Sequence, residues 1–140
     1  MLRAVLDTNV VMAALRSRRG ASYSLMQRLG GNEFRISLSV PLVLEYEEAC
    51  KRSARETGLT AADVDDVVDY LCSVAEPHEI YYLWRPFLRD PHDDHLLELA
   101  VASESRWIVT FNIRDFAGCG RFGVEAMTPR RFLEKLEVGK

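Results

Sequence analysis

Four acids in this sequence sit where carboxylate chemistry would need them. Asp7 directly follows an apolar run, Leu2–Leu6. Glu45 lies in a helical segment after a second run, Phe34–Leu38. Asp93 falls in the first turn of a helical segment that precedes a third run, Trp107–Thr110, and Asp115 follows that run. Carboxylates gathered at one place repel one another and raise each other's pKa. A divalent cation removes that conflict, and an all-oxygen ligand set without cysteine suits Mg²⁺ or Mn²⁺. Such an ion activates a water for attack on phosphorus and stabilises the charge developing on the phosphate.

Each acid also has a plain structural reading. Asp7 would cap the following helix, with Thr8 and Asn9 in the turn. Asp93 stands three residues after a candidate N-cap, Asp90, where an acid favours the helix dipole. Glu45 would be an exposed helix acid and Asp115 a turn residue. Position separates the two readings. In an open parallel sheet, ligands bind beyond the carboxyl ends of the strands, and Asp7 and Asp115 lie at such ends. At about 100° per residue, Glu45 falls roughly 40° from Ala49, at the margin of an apolar stripe, with Glu47 and Glu48 further away. Asp93 shares a face with Leu97 and Ala100. The acids can therefore meet at one sheet edge.

The elements that would hold them follow from periodicity. Leu2–Leu6 reads as a buried strand. A helix follows, broken near Ser17–Gly20 and resuming through Tyr23, Leu25, Met26 and Leu29, before a Gly30-Gly31-Asn32 turn. Phe34–Leu38 reads as a strand. Pro41 marks a helix start, and Leu42, Tyr46, Ala49, Cys50 and Ser53 share a face. Thr60 and Asp63 have capping-box spacing. They open a helix striped by Val64, Val67, Val68, Leu71 and Val74, with Asp65, Asp66 and Asp69 in solvent. Glu79–Leu83 reads as a strand. Asp90 and Pro91 read as the N-cap and first residue of a helix carried by Leu96, Leu97, Ala100 and Val101. After the Trp107–Thr110 strand come a loop, Gly118–Gly123, a brief strand, Val124–Met127, and a last helix opened by Thr128 and Pro129. Alternation of this kind predicts an α/β fold, a parallel sheet flanked by helices.

Bulk composition narrows the class. The 140 residues suffice for one domain. No apolar run is long enough to span a bilayer, and the start of the chain lacks signal-peptide character, so a soluble cytoplasmic protein is expected. A net charge of −3 argues against non-specific coating of nucleic acid. The bases are bunched, as Arg16, Arg18 and Arg19, as Lys51, Arg52 and Arg55, and as Arg130 and Arg131; each bunch alone reads as solvated surface. Cys50, Cys72 and Cys119 are scattered and odd in number, which suits buried thiols in a reducing compartment.

Two competing signals remain. Gly118-Cys119-Gly120-Arg121-Phe122-Gly123 matches Gly-x-Gly-x-x-Gly, but it precedes a strand where a dinucleotide site needs a helix. His92 and His95 stand beside the acids, so a zinc or iron hydrolase using them is an alternative. Their plainer reading leaves one or both exposed, or reaching a substrate phosphate.

The acidic segments resemble the motifs of PIN domains. Leu6-Asp7-Thr8-Asn9 resembles the opening motif, and Ser39 to Glu47 the second, with Glu45 as its acid. Asp90 to Ala100 resembles the third, with Asp93 as the key acid and Asp94 able to share or take that role. Ile108 to Phe116 resembles the fourth, with Asp115 as the acid and Asn112 in support. The resemblance runs from Leu2 to about Phe132. It implies one PIN-like domain over residues 1–140, three-layer α/β/α, with a core of about 2–132 and a C-terminal helix of about 129–138. It further implies an endoribonuclease dependent on Mg²⁺ or Mn²⁺, similar to the toxins of bacterial toxin–antitoxin pairs, often a homodimer and inhibited by a small antitoxin. Asp7, Glu45 and Asp93 would hold the cation and Asp115 would complete the acidic cup, supported by Thr8, Asn9, Asp94, Thr110 and Asn112. A PIN-like RNA-binding module without catalysis is the alternative, and the presence of all four acids argues against it.

Overall fold

Val5 and Leu6 are wholly buried because their strand, β1 (Leu2–Leu6), is the middle of a five-stranded sheet. The coordinates are a computed structural model that describes residues 1–80, 88 and 93–138. On one side β1 pairs with β2 (Phe34–Leu38), which pairs with β3 (Glu76–Pro77). On the other it pairs with β4 (Trp107–Val109), which pairs with β5 (Glu125–Met127). All four pairings are parallel, in the order β3-β2-β1-β4-β5. Ala4–Leu6 of β1 and all of β4 are apolar and buried on both faces, as central parallel strands require, while Arg3 near the start of β1 is exposed. Helices flank the sheet in a three-layer α/β/α arrangement. The order of strands reverses between β1 and β4, and this switch point leaves a crevice beyond their carboxyl ends.

The helices start and stop where local chemistry directs. α1 (Thr8–Arg16) and α2 (Ala21–Gln27) are separated at the expected break. α3 (Val40–Arg52) opens with Ser39, whose Oγ accepts the Leu42 N–H at 3.3 Å, and holds Pro41 in its first turn, where no helical N–H is lost. Leu42, Tyr46, Ala49 and Cys50 are its buried face. A single turn, α4 (Ala54–Thr57), ends at Gly58, whose φ of 73° suits glycine. α5 (Ala61–Val74) carries a complete capping box. Asp63 N–H donates to Thr60 Oγ1 at 3.1 Å, and Thr60 N–H to Asp63 Oδ2 at 2.9 Å. Asp65, Asp66 and Asp69 are exposed. α7 (Pro129–Val138) packs on α2 and sends Phe132 against Phe34 and Trp107.

Several expectations need correction. A short strand pairs Glu76 and Pro77 with Ser37 and Leu38, ahead of the strand read at Glu79–Leu83, of which Glu79 and Ile80 are not in a strand. His78 N–H continues the pairing with a 2.8 Å bond to the Leu38 carbonyl. Pro77 is tolerated there because β3 is an edge strand; residues 81–83 lie outside the described set. So do Asp90, Pro91 and His92, and with them the helix start read there. The helix itself, α6 (Asp94–Ala102), is not one-sided. Every residue from Asp94 to Ala100 is buried, since β1, β2, β4 and α3 all press on it. Cys50 and Cys119 are buried as expected, but Cys72 is exposed. The glycine-rich stretch is a 3₁₀ turn, Cys119–Phe122, between Gly118 (φ 93°) and Gly123 (φ 76°), and it leads into β5. No helix among the described residues is long and apolar enough to cross a membrane.

Candidate active site

Asp7 is the first residue past β1 and is 6% exposed. Its backbone N–H donates to Val109 O at 2.9 Å, so the ends of β1 and β4 are stitched together beneath it. It precedes α1, yet its side chain caps nothing. The carboxylate turns instead to β4's extension, where Thr110 Oγ1 donates to Oδ2 at 2.8 Å. Thr110 is wholly buried, and its hydroxyl also accepts Asn112 N–H at 2.9 Å and Asn9 Nδ2 at 3.5 Å. A hydroxyl has one proton and two lone pairs, so these partners use all of Thr110's capacity and fix the direction of its proton. Asn9 Oδ1 in turn accepts Phe111 N–H at 3.3 Å.

Glu45 comes to the same corner on α3. The next residue, Tyr46, is buried and donates its hydroxyl to the Leu6 carbonyl, which pins α3 to the end of β1. The Glu45 side chain is 38% exposed, the marginal position that its helical phase predicts. Thr8 Oγ1 donates to its Oε1 at 2.6 Å, and His95 Nε2 lies 2.7 Å from its Oε2. The Thr8 bond therefore joins α3 to the first residue of α1, next to Asp7.

Electrostatics at this corner are unfavourable for two ionised acids. Burial pushes the Asp7 carboxyl above its ordinary pKa. The Thr110 hydroxyl opposes that rise, the charge of Glu45 adds to it, and the Thr8 N–H and His95 oppose it more weakly. Tyr46 is pushed far up by burial, with the charges of Asp7 and Glu45 adding to the effect.

The other acids are arranged differently. Asp93 is half-buried at the entry to α6 and its side chain does not cap that helix. Asp94 is buried, and its Oδ1 accepts the Leu88 N–H at 2.8 Å, so it anchors backbone. Asp115 is half-buried in a 3₁₀ turn, Ile113–Phe116, whose first bond runs from Asp115 N–H to Asn112 O at 3.0 Å. Asn112 reaches the corner through its backbone N–H to Thr110, with its side chain exposed. Asp7 and Glu45 are thus brought within each other's field. Among the described residues no three His, Cys, Asp or Glu side chains converge as a ready-made metal site.

His95 differs from its expected place. It is 7% exposed and tied to Glu45, so it is not a solvent-exposed histidine, and the other residue of the His92 and His95 pair lies outside the described residues. Sequence periodicity could not reveal the contact, because Glu45 and His95 meet only through tertiary packing of α3 and α6.

Sequence and structure comparisons bear on this geometry. The family model described as the PIN domain matches residues 3–114. A search of curated proteins found no significant match. Among solved structures, VapBC-1 from nontypeable Haemophilus influenzae matches with a TM-score of 0.64 at 14% identity, over 92% of this chain and 99% of that one. DNA-bound VapBC from Salmonella typhimurium matches at 0.62 and 17% identity, over 92% and 99%. VapBC2 from Rickettsia felis, bound to a DNA fragment from its promoter, matches at 0.61 and 16%, over 89% and 97%. At such identities these likenesses speak for the fold. The family model spans most of the chain, including the Asp7, Glu45 and Thr110 corner, and on that ground the chain belongs to the PIN domain family.

Proposed function

We propose that this protein is a divalent-metal-dependent endoribonuclease and the toxin of a toxin–antitoxin pair. One observation carries the reading. A buried aspartate at the sheet's switch point lies in the field of a neighbouring glutamate, whose charge adds to the rise that burial gives its pKa. Such a pair fits a hard divalent cation, which neutralises both charges at once. In this reading Asp7 and Glu45 hold the ion, Asp93 joins them from the entry to α6, and Asp115 completes the acidic rim. A bound Mg²⁺ or Mn²⁺ supplies water activation and stabilisation of charge on phosphorus.

The chain's own residues prepare that site. Thr110 orients Asp7, and Asn9 and the Asn112 backbone hold Thr110. Thr8 holds Glu45. Solved relatives of this fold are VapBC complexes, which supports a small antitoxin partner for this chain. A homodimer and a cytoplasmic location belong to the same reading.

The test is cleavage of single-stranded RNA by the purified chain with and without Mn²⁺, beside Asp7→Asn. The substitution removes a charge at nearly constant shape. Cleavage that requires Mn²⁺ and falls by about a hundredfold in the variant, roughly 2.7 kcal/mol of transition-state stabilisation, is expected. RNA binding without cleavage would instead mark a non-catalytic module, and full activity in folded Asp7→Asn would remove Asp7 from the chemistry.

A further inference from the structure

The Glu45 carboxylate is gripped at both oxygens, and one grip comes from a residue that the nuclease reading leaves without a role. Thr8 holds Oε1 at 2.6 Å and His95 holds Oε2 at 2.7 Å. His95 belongs to α6, fifty positions along the chain from Glu45. We propose that His95 is a positioning residue that locks the Glu45 side chain beside Asp7 in the conformation a divalent cation needs; this rests on the metal-site reading above.

Three physical points support it. First, an imidazole buried to 7% exposure is costly unless it is hydrogen-bonded. Its Nδ1 is also buried and has no partner among the described residues. Nε2 is the ring nitrogen that meets a partner, and an ionised carboxylate can only accept from it. His95 is thus aimed at one acceptor.

Second, Glu45 needs restraint. Its side chain is 38% exposed and long, and ordering a glutamate costs rotamer freedom. The two donors meet that cost during folding and before any ion arrives. Third, both partners act on the carboxylate from the protein side, each through one hydrogen bond to a different oxygen. Partners of this outer kind typically change metal affinity or activity by about 10–100-fold when removed.

The experiment measures Mn²⁺ binding to the metal-free full chain by titration calorimetry, with electron paramagnetic resonance of unbound Mn²⁺ as a second readout. Four variants are compared with wild type: Asp7→Asn, His95→Leu, His95→Gln and His95→Asn. The Gln amide reaches the position of Nε2 and keeps the donor; the shorter Asn amide falls near Nδ1 and does not. Expected is a Kd about tenfold or more weaker for His95→Leu and His95→Asn, with His95→Gln within a few-fold of wild type. Excess Mn²⁺ should restore the RNA-cleavage kcat of the weakened variants, which a folding defect would not allow.

Unchanged or tighter binding in folded His95→Leu overturns the inference. So does equal weakening by Gln and Asn, and that pair decides the matter if the Leu variant does not fold. If Asp7→Asn binds Mn²⁺ as wild type does, or wild type binds none, the metal-site reading falls and takes this inference with it. Loss in Asp7→Asn with no effect at His95 sinks this inference alone.

Discussion

The two ends of the central strands are built on opposite principles. At the amino edge, Phe34 begins β2 and Trp107 begins β4, and Phe132 of α7 closes over both. Its ring meets Phe34 edge-on at 5.3 Å and Trp107 at 6.0 Å between centroids. Lys135 and Arg106 cover the Trp107 ring at 5.0 and 5.6 Å, and Arg28 ties α2 to Glu33 and Glu137. At the carboxyl edge, β1 and β4 end in Asp7 and Thr110, with Glu45 and His95 brought in from α3 and α6. One edge gains by excluding water from apolar surface. The other buries a carboxylate against its preference and spends its hydrogen bonds on orientation. The difference separates what keeps the chain folded from what holds a carboxylate in a set direction.

If that separation is real, the amino edge should be breakable without touching the carboxyl edge. Phe132→Ala removes a wholly buried ring and should cost about 3–5 kcal/mol of stability, read by urea denaturation. The surviving folded fraction should bind Mn²⁺ with wild-type affinity. A parallel loss of affinity would show that the edges are coupled.

The carboxyl edge should respond in the reverse sense. Asp7 has a folded pKa above its unfolded one, so its contribution to stability is full below the unfolded pKa and is lost as pH rises through the folded value. Metal-free wild type should therefore weaken across that window, and Asp7→Asn should remove this dependence. At neutral pH the metal-free variant should melt above wild type while cleaving RNA far more slowly. Added Mn²⁺ should raise the melting temperature of wild type and not that of the variant. A variant that melts lower at neutral pH would show that the carboxylate stabilises the fold.

The smallest effect belongs far from both edges. Thr60→Ala removes the α5 capping bond from Asp63 N–H and should cost about 1 kcal/mol, with RNA cleavage unchanged at a temperature where the chain stays folded. A change in cleavage would mean that α5 contributes to the site.

Much of this was legible from residue order because the causes are local. The runs at Leu2 and Phe34 became β1 and β2, the Thr60 and Asp63 spacing became a capping box, and the break after Arg16 separated two helices. Glu45 was placed at the margin of its helix by angle alone and is half-buried there. Residue order says less where a neighbour in space decides. Glu76 and Pro77 form a strand because β2 offers its backbone there. α6 is buried all round because four elements surround it, which periodicity within one helix cannot express. Cys72 is exposed although its neighbour Leu71 is buried, since a helix face is a matter of one residue.

The sequence by itself determined the strand and helix types and the placing of Asp7 after the first strand, because apolar spacing, caps and turns act over a few residues. Only the tertiary structure decided that Thr110 turns Asp7 away from its helix, that Glu45 lies within its field, and that His95 faces Glu45. Those contacts join segments far apart in the chain, and they exist because the parallel sheet brings the carboxyl ends of β1 and β4 together at its switch point.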